Sequence, residues 1–183
     1  MLDIGSNNGI FATMMGAKVG RAGRVHAFEP SPKIAADLRR VLALNELSQV
    51  TVIEAAASNR NGEATFCEIQ ETDVRRESSH LSDPLLDSAS RELKQHAMVV
   101  QTLVIDDFVE EHALRPVLMK IDVEGAEFLV LEGAEKTIGA CKPKLVIEIH
   151  PNSEGVFDHA RLIAYLKRFG YQYATETKTY YCW

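Results

Sequence analysis

The chain has 183 residues, 46% of them hydrophobic and 25% charged, with a net charge of −6. That balance fits one soluble domain able to bury a core without staples, and it argues against holding nucleic acid or an anionic membrane by bulk electrostatics. No run approaches the ~18 apolar residues of a membrane span. Cys67, Cys141 and Cys182 form no CxxC pair, which predicts a reducing, cytoplasmic setting and no zinc site.

Met1 to Gly9 (MLDIGSNNG) reads as a short apolar strand entering a glycine-bounded turn. Ile10, Phe11, Met14 and Met15 follow at helical spacing. With the strand starting directly after Met1, no leader segment is expected. Val19 to Gly23 is a turn, and Arg24 to Phe28 a buried strand ending at Glu29-Pro30. Ser31 is placed to cap the next helix, with Pro32 at its first position and Ile34, Leu38, Val41 and Leu42 on its apolar face. Val50 to Ile53 is a third strand, ending at Glu54-Ala55. This βαβαβ rhythm predicts half of a doubly wound α/β sheet with right-handed crossovers.

The rhythm then changes. Ala64 to Ile69 and Val99 to Val104 read as further strands around a polar, serine-rich, irregular insert over residues 70–95. Within it, Arg75, Arg76, Ser78, Ser79 and His80 suit a lid or a substrate wall, or a solvated loop. Alternation resumes with a short helix over Ile105 to His112 opened by Asp106 or Asp107, and a strand Val117 to Ile121 running into Asp122-Val123-Glu124-Gly125. Helical pieces follow within Ala126 to Thr137, then a strand Lys144 to Ile149 ending at His150-Pro151. A helix over Asp158 to Phe169 is capped by Asp158 and ended by Gly170. Tyr171 to Thr175 and Thr179 to Trp183 are late strand material. A first strand at residue 2 and a last one at the chain's end predict a single domain, over residues 1–183, shortened at both ends or completed by a partner.

In such sheets ligands sit beyond the carboxyl ends of the strands. Five successive strands end in carboxylates: Asp3, Glu29, Glu54, Asp122 with Glu124, and Glu148 beside His150. The GxGxxG fingerprint of dinucleotide enzymes is absent, since Gly5 and Gly9 are separated by Ser6-Asn7-Asn8. Glu29, about 20 residues beyond the turn, suits ribose hydroxyls of either a nicotinamide or an adenosyl cofactor. Asp3 would repel a diphosphate and welcome the ammonium of an amino-acid tail.

The blocks LDIGSNNG, VHAFEPSP, VTVIEAAASNRNGEATF, VVQTLVIDDFVEE, LMKIDVEGAEFLVLEGA and PKLVIEIH resemble, in order, those of the FkbM family of class I S-adenosylmethionine-dependent methyltransferases. The resemblance implies a mostly parallel, Rossmann-like sheet of order 3-2-1-4-5-7-6 with a β element inserted after the third strand. It implies that Asp3, Gly5, Ser6, Asn7 and Gly9 cradle the methionine part. Glu29 would hold the ribose, with Pro30 and Ser31 beside it. Glu54 and Ala55 would meet the adenine, and Asp122 the reactive methyl and incoming acceptor. The product would be S-adenosylhomocysteine.

Strand alternation places Lys120 with Asp122 on one face, and Glu148 with His150 on one face of the next strand. Asp122, Glu148 and His150 are therefore the catalytic candidates, with His150 or Asp122 as a general base for an acceptor hydroxyl. The cluster also resembles the magnesium site of catechol-type methyltransferases; the spacing does not require a metal, and none is expected. The expected activity is O-methylation of a small-molecule, sugar or natural-product hydroxyl, or of a glycan, in a monomer or homo-oligomer. The rival readings are an S-adenosylmethionine-binding module without turnover and a nicotinamide-dependent oxidoreductase.

Overall fold

A computed structural model describes residues 1–69, 79–81, 95–151 and 155–183. In chain order the elements are β1 (Leu2–Ile4), α1 (Ile10–Val19), β2 (Val25–Phe28), α2 (Pro32–Leu44), β3 (Val50–Ile53), β4 (Ala56–Ser58), β5 (Gly62–Ile69) and β6 (Ser79–Leu81). They continue with β7 (Gln95–Val104), α3 (Ile105–Glu111), β8 (Leu118–Ile121), α4 (Glu127–Glu132), α5 (Glu135–Cys141), β9 (Lys144–Glu148), α6 (His159–Arg168), β10 (Tyr173–Glu176) and β11 (Thr179–Cys182).

Seven strands form the main sheet in the order β10-β11-β9-β8-β1-β2-β3. Numbered within that sheet alone, this is the expected 3-2-1-4-5-7-6, parallel except for β11, which runs antiparallel to β9 and β10. The order reverses beside β1, so the ends of β1, β2 and β8 border one crevice. Register fixes what meets there: Asp3 lies opposite Lys120 on β8 and Ala27 on β2.

β2 contributes to two cores. On β2, Val25 and Ala27 join Ala12, Met15, Leu38 and Leu42 in one apolar cluster, while Phe28 joins Leu2, Ile4, Met119 and Ile147 in the other. Burial on both sides explains why these strands are nearly continuously apolar. Helix α2 starts as expected, with Ser31 Oγ accepting from the Ile34 N–H and Pro32 in the first turn. Asp158 likewise accepts from the Arg161 N–H at the head of α6.

One local expectation needs correction, and two features add to the sequence reading. Helix α1 buries Ala12, Met15 and Gly16, whereas Ile10, Phe11 and Met14 are exposed at 59%, 44% and 61%. Small residues let this helix pack close, so the larger apolar residues end on its outer side. Asp106 does not open α3; its two oxygens accept from the Lys136 and Thr137 N–H groups and so cap the start of α5. The strand β4, in the run Ala55 to Ser58, was not anticipated. It pairs in parallel with β7 and starts a second sheet of order β4-β7-β5-β6. In that sheet β5 pairs along its whole length with β7, from Gly62 opposite Thr102 to Ile69 opposite Gln95. The proposed lid residues Arg75, Arg76 and Ser78 lie outside the described residues, while Ser79 and His80 fall on the backbone of β6. Among the described residues no helix is long and apolar enough to cross a membrane.

Under β2, both ring nitrogens of His26 are buried with no hydrogen-bond partner among the described residues. The ring meets Phe108 edge-on at 5.3 Å. Burial lowers its pKa, and His112 and Arg24 push the same way. A lowered folded-state value means that the unfolded chain takes up the proton first. The neutral ring's contribution is therefore complete above the ordinary histidine value of about 6.5 and is lost as pH falls below it. Urea unfolding at pH 7.5 and pH 5.5 should show the native chain losing stability on acidification and His26→Phe losing less. Identical losses would remove His26 from the acid limb.

Candidate active site

The turn after β1 is built by three left-handed residues, Gly5 (φ 79°), Asn7 (φ 45°) and Gly9 (φ 83°). Gly5 is dictated by space as well as by dihedral: a Cβ there would lie 1.8 Å from the Asp122 carbonyl oxygen. The β1 turn and the end of β8 thus touch through bare backbone. The Gly5 and Ser6 N–H groups donate to the Phe28 carbonyl, tying the turn to β2.

Glu29 is buried just past β2, and both its oxygens are organised. Oε2 accepts from the Asn7 N–H and Oε1 from the Ser31 N–H, each at 2.9 Å. The carboxylate is therefore fixed on the wall of a cleft also lined by Gly5, Asn7, Pro30, Ala55, Asp122 and Glu124. Phe28, Ile34, Ala56, Ala57, Phe66 and Val123 complete that lining with an apolar side. Among the described lining residues there are three carboxylates and no lysine or arginine.

Several expected ligand residues also make contacts within the protein. Asp3 is completely buried and is not on the cleft wall; its nearest cation is Lys120 Nζ, 3.4 Å from Oδ1. Burial raises its pKa, against the pull of Lys120. Ser6 Oγ donates to the Asp3 carbonyl, and Ser31 Oγ caps α2, so both support the wall from behind. Gly9 stands at the head of α1, where a Cβ would meet Leu38 Cδ1 at 2.2 Å. The Glu54 carboxylate does not line the cleft but pairs with Arg39 at 2.9 Å on the surface. Ala55 lines the cleft as expected.

The catalytic candidates do come together. Lys120 Nζ is 3.4 Å from Asp122 Oδ2 and donates to the Gly5 carbonyl at 2.6 Å. His150 Nε2 lies 3.8 Å from Asp122 Oδ1, 3.5 Å from Glu148 Oε1 and 3.2 Å from Glu124 Oε2. The backbone of Glu124 is left-handed (φ 51°), which a branched or long side chain rarely adopts, and Gly125 follows at φ 106°. That bend turns the loop after β8 back toward His150.

Two residues of this group were missed. Glu127, at the start of α4, is buried, and its Oε1 meets His150 Nδ1 at 2.8 Å while accepting from the Gly125 N–H at 2.9 Å. Lys178, in the turn between β10 and β11, lies 2.5 Å from Glu148 Oε1 and 3.2 Å from His150 Nε2. Its signal was the register: Thr179 opposes Glu148, so the residue before it reaches past the end of β9. Asp122, Glu148 and His150 also present ligand atoms within 4.8 Å of one another, the spread a small cation would need. The positive charge answering Glu148 there is Lys178. Burial pushes Glu148 up, but the hydrogen bond and charge of Lys178 hold it below its ordinary value. Burial raises Glu124, partly opposed by His150.

Comparison with known proteins gives this site its family. Residues 3–173 match the model of the methyltransferase FkbM domain. The chain is 30% identical over 169 residues to methyltransferase sdnD of Sordaria araneosa, covering 81% of this chain and 65% of that one. A solved structure of methyltransferase FkbM from Methylobacillus flagellatus KT matches with a TM-score of 0.66 at 23% identity, covering all of this chain and 43% of its own. Aeropyrum pernix fibrillarin, solved with natively bound S-adenosyl-L-methionine, matches with a TM-score of 0.55 at 15% identity over 99% of this chain and 64% of its own. The chain thus spans less than two thirds of the length of each of these relatives. With the family blocks, the sheet order and the model match in agreement, the chain belongs to the FkbM family of methyltransferases and has their class I, Rossmann-like fold.

Proposed function

We propose that the chain binds S-adenosylmethionine in the cleft between the ends of β1, β2 and β8 and transfers its methyl group to a hydroxyl of a small-molecule, sugar or glycan acceptor. One observation carries this reading: the cleft holding Glu29 and the cluster around His150 share Asp122 and Glu124. The cleft's chemistry suits the cofactor. A pyrophosphate would meet three carboxylates and no side-chain cation on the described wall, whereas a sulfonium bearing an ammonium is attracted.

Each part of the wall has a matching task. Glu29, immobilised by two N–H donors, accepts from ribose hydroxyls, and Phe28, Ile34, Pro30 and Phe66 enclose the base. The turn at Gly5 to Asn7 lies against the methionine part. Asp122 and Glu124 offset the positive charge, a role the sequence alone assigns to Asp3. When bound, S-adenosylmethionine supplies an activated methyl group on a sulfonium. The protein then has to align the acceptor and exclude water, which can lower the barrier by roughly 7–11 kcal/mol. A base at the acceptor adds about 10²–10⁴ in rate, and His150 is the group placed to provide it.

Calorimetry should show S-adenosylhomocysteine binding and no NAD binding; the reverse result would overturn the cofactor assignment. Glu29→Ala leaves the Asn7 and Ser31 N–H groups without their acceptor and should weaken S-adenosylhomocysteine roughly 10–100-fold, the equivalent of about 1.5–3 kcal/mol for hydrogen bonds to a charged group. Unchanged affinity would remove the ribose role. Gly5→Ala, with its Cβ inside the Asp122 carbonyl, should abolish binding and lower the melting temperature. Transfer to any acceptor found by screening should survive EDTA, since the charge opposite Glu148 comes from Lys178.

A further inference from the structure

We infer that Glu127 is the positioning residue of a carboxylate–imidazole pair, holding His150 so that Nε2 is the proton acceptor for the substrate hydroxyl. This rests on the proposed methyl transfer for its purpose, but its geometry stands apart from cofactor binding: Glu127 and His150 border a surface groove beside α4 rather than the cleft.

The geometry is specific. Glu127 is 2% exposed and the His150 side chain 8% exposed, so their contact is shielded from water. Because Glu127 Oε1 already accepts from the Gly125 N–H, it presents an acceptor to Nδ1, and Nδ1 must carry the proton. Nε2 is then free of hydrogen in the neutral ring, and it points to the side where Asp122 and Glu124 border the cleft. The same division of roles orients the histidine of hydrolytic triads.

As the acceptor oxygen bonds to the methyl carbon, the carbon–sulfur pair leaves with sulfur and the hydroxyl proton passes to Nε2. The resulting imidazolium is held by Glu127 and later gives its proton to solvent. Around Nε2 lie the carboxylates of Asp122, Glu124 and Glu148 and the ammonium of Lys178, with Glu132, Asp158 and Arg161 along the adjoining groove. Burial lowers the ring's pKa, but the Glu127 bond and the charge of Glu124 outweigh it and leave it raised. Removing the Glu127 charge takes away one of the contributions that raise it.

The test uses the full chain labelled with ¹⁵N-histidine, with long-range ¹⁵N–¹H spectra followed across pH. The expected native result is a His150 ring that loses its proton from Nε2 and retains it on Nδ1. Glu127→Gln, which keeps the shape and the acceptor oxygen, should preserve that tautomer and lower the ring's apparent pKa by a unit or more. Glu127→Ala should shift the neutral ring toward the Nε2–H form, which the neighbouring carboxylates favour. S-adenosylhomocysteine affinity should stay within twofold in both variants. A native Nε2–H tautomer, or the same apparent pKa in Glu127→Gln, would overturn the pairing. Loss of S-adenosylhomocysteine binding in the native chain would instead strike at the cofactor reading and leave the spectra to decide the pair. If Glu127→Ala fails to fold, the isosteric Gln variant still decides.

Discussion

The ammonium of Lys120 is the contact on which the site's geometry depends. It is buried between Asp3 and Asp122, donates to the Gly5 carbonyl, and lies 5.2 Å from the Phe11 ring centroid. Thereby one side chain joins β1, the turn, β8 and the head of α1. Burying such a charge is costly, and removing one member of a buried ion pair costs about 3–5 kcal/mol because the other is left uncompensated. Here the arrangement is two carboxylates sharing one cation. Asp3 and Asp122 thus flank Lys120, and Asp122 also lines the cleft.

Backbone strain reinforces this arrangement. Asn7 and Glu124 are non-glycine residues with positive φ, and both stand on the cleft wall. Asparagine tolerates that conformation; glutamate has no such excuse, and the cost is about 1–2 kcal/mol. The loop after β8 accepts it because Gly125 donates to Glu127 and Asp122 donates its N–H to the Ile4 carbonyl. The loop's two ends are thus pinned while Glu124 is turned toward His150.

Much of the fold was legible because apolar runs, turn glycines and caps all agreed. Ser31-Pro32 and Asp158 are caps in the structure, and the strand order follows from the family blocks. The meeting of Lys120 with Asp122, and of Glu148 with His150, was legible from strand alternation alone. What local sequence does not show is which side of a neighbour a group faces. Asp3 and Glu54 both end strands as carboxylates, yet one is fully buried beside Lys120 and the other reaches Arg39 on the surface. Asp106 looked like a local cap because sequence cannot show a helix start 30 residues away. Glu127 sat in plain view within KIDVEGAE, but nothing local says that its carboxylate meets a histidine 23 positions later.

The inserted sheet has a bearing on how this scaffold can be altered. Phe66 belongs to β5, which pairs along its whole length with β7, and its ring forms part of the apolar wall beside Ala56 and Ala57. Ala56 and Ala57 themselves sit on β4, paired to β7. Part of the apolar wall of the cleft is therefore supplied by a sheet other than the main one. Exchanging this sheet for a relative's rebuilds the wall made by Phe66, Ala56 and Ala57, whereas a graft that leaves β4, β5 and the adjoining part of β7 in place leaves that wall as it is.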